Sequence, residues 1–466
     1  MPERPNIVQI VADDMGYGDF GCFSEGRTQT PALDQLTAEG LCLTQQYSGS
    51  PVCNPSRACL LTGRYPHRTG SIDTLEYRGL ERLALRETTL ADVLRAAGYR
   101  TGHVGKWHLG AFDHRYHPLR RGFDEAVCFR GGMHDYWRWR LEFGVNVQRG
   151  DGRYLTDVWT DEACAFLERR KRDEPFFLQV MYNAPHTPLQ CPEEDVAPFV
   201  QTGRYDYAVS LIYGMIRRMD RGIGRILETL RNRGLEENTI VMFTSDNGPQ
   251  FGSGGNGLGD TTRFNCGWRG CKGNTYEGGI RVPGILRWPG RFQAGRAVHE
   301  MVHFADWFPT LLAAAGVEVP KDNLPLDGVN VLPVLLGEGG DVCTRRFWQW
   351  NRYTPLIECN AAMRDGDWKL VRPKIDEAMA VPDGHFVRTC MYEHEYFLEH
   401  GLIQEPDPAR DVPPPPPAQL FNLADDPGEQ RDLAGEQPDR ARRMLTDLET
   451  WFEQVEADRA SIDDQW

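Results

Sequence analysis

The chain has 466 residues, 40% hydrophobic and 26% charged, with a net charge of −15. That length exceeds what one hydrophobic core covers, so two domains are expected, one large and one small. The acidic balance leaves no basic stripe for a nucleic acid, and no apolar run approaches the roughly 20 residues that cross a bilayer, so neither nucleic acid nor membrane is an expected partner.

The N-terminus, "MPERPNIVQIVADD", runs straight into a buried strand ending at Asp13-Asp14, with no signal-peptide pattern. The twelve cysteines show no CxxC and no framework spacing, so free thiols and a cytoplasmic location are expected. "TPALDQLTAEG" predicts a helix with Thr30 as cap, Pro31 at its first position and Gly40 at its stop. In "SPVCNPSRACLLTGR" Pro55 is suited to open a helix that Gly63 ends, with Cys53 at its N-terminal end and Ser56 and Arg57 in the first turn. "TTLADVLRAAGY" is a further helix; "YRTGHV" is a strand leading into "GKWHLG" with Lys106 and His108. "PFFLQVMYNAPH" is a strand running into His186, Tyr207 to Asn232 a long amphipathic helix, and "NTIVMFTSDNG" a strand ending at Asp246-Asn247. Strands alternating with helices predict an α/β fold, with a largely parallel sheet and helices on both faces. After about residue 340 short strands such as "DWKLVRP" appear, then the run Pro413–Pro417, read as a surface connector, then a charged helix from Pro438 to about Ala457. Residues 1–340 are therefore assigned to the larger α/β domain and 341–466 to a smaller α+β domain.

Four strands end in groups able to do chemistry: Asp13-Asp14, Lys106 with His108, His186, and Asp246-Asn247. Ligands of open α/β sheets bind beyond the carboxyl ends of the strands, so these groups are expected to converge. Three carboxylates and an amide oxygen suit Ca²⁺ or Mg²⁺ rather than zinc. A helix N-terminus beside such a cation attracts anions, and it would also favour a thiolate at Cys53. Metal, helix start and cationic donors together suit a tetrahedral oxyanion.

These segments resemble the type I, formylglycine-dependent sulfatases of the alkaline phosphatase superfamily. "CNPSRACLLTGR" fits the Cys-x-Pro-x-Arg maturation signature, and "NIVQIVADDMGYGD", "GKWHLG", "APHTP", "SDNG", "KGNTYEGGIRVP" and "LFNLADDPGEQRDLA" match other signatures in order. The resemblance implies an alkaline-phosphatase-like fold and hydrolysis of an aryl or carbohydrate sulfate monoester to alcohol and sulfate. It implies that a maturation enzyme oxidises Cys53 to formylglycine, whose aldehyde hydrate attacks sulfur and then expels sulfate, a covalent route with a built-in release step. By the same matching Asp13, Asp14, Asp246 and Asn247, with the modified Cys53, hold Ca²⁺ (Mg²⁺ second). Arg57 orients the formylglycine, Lys106 bridges it to the sulfate, and His108 deprotonates the hydrate. His186 and Lys272 hold sulfate oxygens and assist the leaving alcohol.

Two segments rich in aromatic residues and arginine, 131–140 and 345–353, offer His134, Arg138 and Arg352 as substrate-pocket candidates. Trp139, Trp348 and Trp350 suit either sugar-ring stacking or a buried domain interface. Cys59 and Cys271 match no functional position and are assigned to packing. Two other readings compete: a formylglycine-dependent phosphonate monoester or phosphodiester hydrolase, disfavoured because those enzymes tend to have histidine at the place of Asn247, and an inactive sulfated-glycan-binding homologue, disfavoured by the complete residue set.

Overall fold

The computed structural model describes residues 4–340, 342–382 and 390–463. Its centre is a ten-stranded sheet. Five neighbouring strands, Thr239–Ser245, Asn6–Ala12, Phe176–Met181, Arg100–Lys106 and Glu125–Phe129, run parallel. Gly284–Arg287 joins one edge antiparallel, and the hairpin Arg140–Phe143 with Asn146–Arg149 extends the other.

Alternation along the central strand shows how both faces are covered. Val8, Ile10 and Ala12 point into one core with the helices Leu155–Glu168 and Tyr207–Asn232. Ile7 and Val11 point into a second with Cys53–Thr62, Leu90–Ala96 and Trp307–Ala314. Near-continuous apolar runs are what a strand buried on both faces requires.

A separate antiparallel sheet orders Arg345–Gln349, Ala361–Asp365, Trp368–Arg372 and Gln419–Asn422. The helix Pro438–Arg459 lays Met444, Leu448, Trp451 and Val455 on it, a spacing that puts all four on one helical face. The proline run 413–417 has no regular structure.

Three local expectations are corrected. The helix at residue 53 begins at Cys53 itself, with Pro55 at its third position; a first-turn N–H has no intrahelical partner, so proline fits there too. Thr30 does not cap its helix through its side chain; Asp220, on the long helix, accepts from Ala32 N at 3.0 Å and Leu33 N at 2.9 Å. The strand read as "YRTGHV" continues through Lys106, because Gly105, at φ 118°, passes so close to Met181 that a Cβ would lie 2.0 Å from its carbonyl oxygen.

Candidate active site

The register brings the strand ends level. Ala12 pairs with Ser245, Val11 with Met181, and Gly105 with Met181, so the residues just beyond share one sheet edge. Asp246 N donates to Ala12 O and Asp13 N to Ala184 O, both at 3.1 Å, which carries the ladder past the strands and fixes both acids. Asp14 and His108 turn back in the left-handed region, at φ 65° and 56°. The helix Cys53–Thr62 starts beneath this edge and presents Cys53 and Arg57 to it.

Ion pairs bind the set together. Arg57 places Nε at 2.9 Å and Nη2 at 2.7 Å from Asp246 Oδ2, and its Nη1 donates to Lys106 O at 3.1 Å. Lys106 Nζ lies 2.7 Å from Asp13 Oδ2, and Lys272 Nζ 2.8 Å from Asp14 Oδ1. Asn247 Nδ2 donates to Asp14 Oδ1 at 2.8 Å, and His186 Nε2 stands 3.7 Å from Asp14 Oδ2. All ten residues assigned chemistry from the sequence therefore fall in one constellation.

Three carboxylates face three strong bases, so the buried set is neutral as it stands. Asp13 Oδ1 and Asn247 Oδ1 are buried without a hydrogen-bond partner among the described residues, and oxygens so placed cost free energy unless a positive group meets them. Asp13, Cys53 and Asp246 present ligand atoms within 4.8 Å of one another, as do Asp13, Asp14 and His186. The oxygen-rich donor set fits a hard divalent cation. Adding one leaves a charge of +2, which an anionic substrate offsets.

Burial dominates the titration of the site. It pushes Asp246 up to about 6, with Asp13 adding to the rise and Arg57 opposing it. Asp14 moves the other way, because Lys272 and His186 outweigh its burial, and the same pairing holds Lys272 firmly protonated. Burial, then Lys272, brings His186 down to about 3. Its Nδ1 lies 2.7 Å from Thr187 O, so the ring proton sits there and Nε2 faces the site bare. Burial and then Lys106 drive His108 well below the usual imidazole range, and neither of its nitrogens has a hydrogen-bond partner among the described residues. Such a ring is held neutral, with its protonation disfavoured by burial and by the cations around it. The Cys53 thiol is pushed up by burial despite Lys106 and Lys272, contrary to the thiolate expected from a helix start alone.

A cavity of about 290 Å³ opens over Cys53, lined among others by Thr74, Glu76, Gln250, Ser253, Lys272 and Arg352. Of the three pocket candidates only Arg352 lines it, held by Asp73 Oδ1 at 2.9 Å and Thr74 Oγ1 at 2.7 Å. His134 is buried apart from it, bonded to the backbone of Arg140, and Arg138 points into solvent. Trp139, Trp348 and Trp350 are buried, not presented to a ligand. Cys59 packs in the core below.

Sequence reasoning passed over Glu76 and Asn54. Glu76 Oε1 lies 3.9 Å from His108 Nε2 and accepts from Gly132 N. Asn54 Nδ2 donates to His108 O at 2.6 Å and to Glu81 O at 2.7 Å, which fixes the turn that carries His108. Glu76 sits in a stretch without periodicity, and nothing in its own neighbourhood marks it.

Comparison with known proteins follows the same lines. The Sulfatase family profile matches residues 5–317, and the profile for the N-sulphoglucosamine sulphohydrolase C-terminal region matches 267–379. An N-acetylgalactosamine-6-sulfatase of Canis lupus familiaris is 38% identical over 72% of this chain and 67% of its own length. A steryl-sulfatase of Mus musculus is 31% identical over 95% of this chain and 81% of its length. The crystal structure of Ps i-CgsB in complex with k-i-k-neocarrahexaose superposes with a TM-score of 0.79 at 30% identity, covering 96% of this chain and 93% of that one.

Proposed function

The chain belongs to the sulfatase family and hydrolyses sulfate esters, and from that premise we propose that its substrate is a carbohydrate sulfate, worked on with Ca²⁺ and with Cys53 converted to formylglycine by a maturation enzyme. The observation that supports the substrate class is the polar part of the cavity lining: Thr74, Glu76, Gln250, Ser253 and Arg352 offer hydrogen-bonding groups over residue 53, beside the apolar Val52, Leu75 and Met133. A sugar's hydroxyls satisfy such groups. A steroid skeleton offers such groups no hydrogen-bonding partner of its own. The likeness to the N-acetylgalactosamine-6-sulfatase supports the same choice.

Asp13, Asp14, Asp246, Asn247 and residue 53 would hold the cation. When bound, it supplies Lewis-acid stabilisation of negative charge on oxygen. Arg57 fixes Asp246 and the first turn of the helix, and so the direction of residue 53. Lys106 and Lys272 are the cations that meet the ester's sulfate oxygens. His186 takes up a proton as that negative charge arrives and joins them. Lys272, the group that already carries its proton in the free site, supplies the leaving alcohol. His108, neutral and without a hydrogen-bond partner among the described residues, accepts the proton released when sulfate departs. The test is a panel of monosulfated sugars, an aryl sulfate, a steroid sulfate and an aryl phosphate with matured, Ca²⁺-loaded protein. The proposal expects the highest kcat/KM on a sugar sulfate; preference for the steroid sulfate or the aryl phosphate overturns it.

A further inference from the structure

The run "LFNLADDPGEQRDLA", residues 420–434, takes no part in the chemistry above, yet the structure brings it against the loop that carries Lys272. Glu429 accepts from Glu277 N at 2.6 Å, and Lys369 Nζ lies 2.9 Å from carboxylate oxygens of both Glu277 and Glu429. All three side chains are buried. Glu277 ends the segment that Lys272 begins. Between them, Tyr276 Oη donates to Gln419 Oε1 at 2.6 Å. Asn360 Nδ2 donates to Gly273 O at 2.9 Å and to Trp350 O at 2.7 Å, while its Oδ1 accepts from Thr275 N at 3.2 Å. Asn360, Lys369 and Gln419 all belong to the small sheet or the turn that leads into it.

From the other side, Lys272 N donates to Pro249 O at 2.9 Å and Gly273 N to Pro51 O at 2.8 Å. The segment 272–277 is thus gripped between the catalytic strand end and the small sheet. A lysine ammonium on a four-carbon stem is only as well placed as its backbone. Gly273, at φ 84°, is free to swing unless its peptide is held, and Asn360 is the side chain that donates to its carbonyl oxygen.

We propose that Asn360 is a positioning residue for Lys272. It fixes the Gly273 peptide so that Nζ reaches the sulfate and the leaving oxygen, while the Glu277–Lys369–Glu429 cluster anchors the far end of the segment. The small domain is then part of the catalytic unit. This rests on the sulfatase reading, because it takes Lys272 as the group that meets the ester.

The test is a double-mutant cycle of Asn360→Gly with Lys272→Ala, on the matured, Ca²⁺-loaded full chain and a series of sulfate esters. Glycine keeps the left-handed backbone of Asn360, φ 51°, without strain, so only the side-chain bonds are lost. Asn360→Gly alone is expected to lower kcat/KM about tenfold, with the loss growing as the leaving group worsens. In the Lys272→Ala background the same change is expected to cost less than about twofold. Equal fold losses in both backgrounds would overturn the positioning role. Should Asn360→Gly not fold, Asn360→Asp keeps the acceptor for Thr275, loses the donor to Gly273, and enters the same cycle under the same criteria. An active wild type with additive losses removes only this inference; a wild type inert towards every sulfate ester removes the functional reading itself.

Discussion

Replacing Arg57 by methionine removes the guanidinium that compensates Asp246, and its cost is expected to depend on pH. In the intact site Asp246 titrates at about 6, raised from 3.8 chiefly by burial, while Arg57 holds it lower than burial and Asp13 alone would. A carboxyl whose folded pKa is raised loses stability as pH climbs from its unfolded value through the folded one. Without Arg57 the folded pKa rises further, so the variant goes on losing stability above pH 6, where the wild type has levelled off. Near pH 5.5 Asp246 is protonated in both proteins, and the difference reduces to the lost bond to Lys106 O plus weakened bonds to a neutral acid, about 1 kcal/mol. Above pH 6 the gap widens by about 1.4 kcal/mol per pH unit, adding about 2 kcal/mol by pH 7.5. The total, about 3 kcal/mol, lies at the lower end of what breaking a buried pair costs. Arg57 and Asp246 are both enclosed, so solvent does not discount the figure. The assay is urea unfolding at pH 5.5, 6.5 and 7.5, with chelator present so that only side chains contribute. A pH-independent difference refutes the reasoning, as does one that shrinks with rising pH. Arg57→Met combined with Asp246→Asn should lose the slope.

Three further outcomes are expected. Ca²⁺ added to chelated protein should raise the unfolding free energy by mass action, about 2.7 kcal/mol at a hundredfold excess over Kd, and Asp13→Asn should abolish the rise; an undiminished rise in the variant contradicts the ligand assignment. Lys272→Ala should lose more kcat on alkyl sulfates than on activated aryl sulfates, because only the poor leaving group needs its proton; equal losses assign that proton elsewhere. Burial pushes Glu81 up to about 7 from 4.5, so its contribution is complete below about pH 4.5 and lost as pH rises through 7. Glu81→Gln should therefore flatten the stability profile over that interval by at most about 3 kcal/mol, and an unchanged slope means that Glu81 does not set it.

The catalytic edge was legible because each of its parts is local: a β-branched run, then an acid or a base where the run stops. Asp13, Lys106 and Asp246 follow from that pattern, since parallel strands in register deliver their ends to one place. Thr30 shows where local reading fails. Its cap is taken over by Asp220, 188 residues beyond Ala32, and no propensity encodes that meeting. The pocket failed for a related reason. Aromatic and arginine residues at 131–140 suggested a ligand surface, but Trp139 is used for the core and His134 for a turn. The polar groups that do line the cavity, Glu76, Gln250 and Ser253, come from a single 3-10 turn and from loops without periodicity. The role argued for Asn360 is of that kind as well, since it depends on two sheets meeting.

The most direct test of the account is the chemical state of residue 53 measured against turnover. Peptide mass spectrometry of the tryptic fragment that carries it, on protein made with and without a maturation enzyme, gives the aldehyde fraction. The buried thiol, pushed up and uncharged, has no second hydroxyl with which to expel sulfate. Turnover of a sulfated sugar should therefore rise in proportion to the aldehyde fraction and vanish with it; repeated turnover by protein that holds only the thiol would contradict the account.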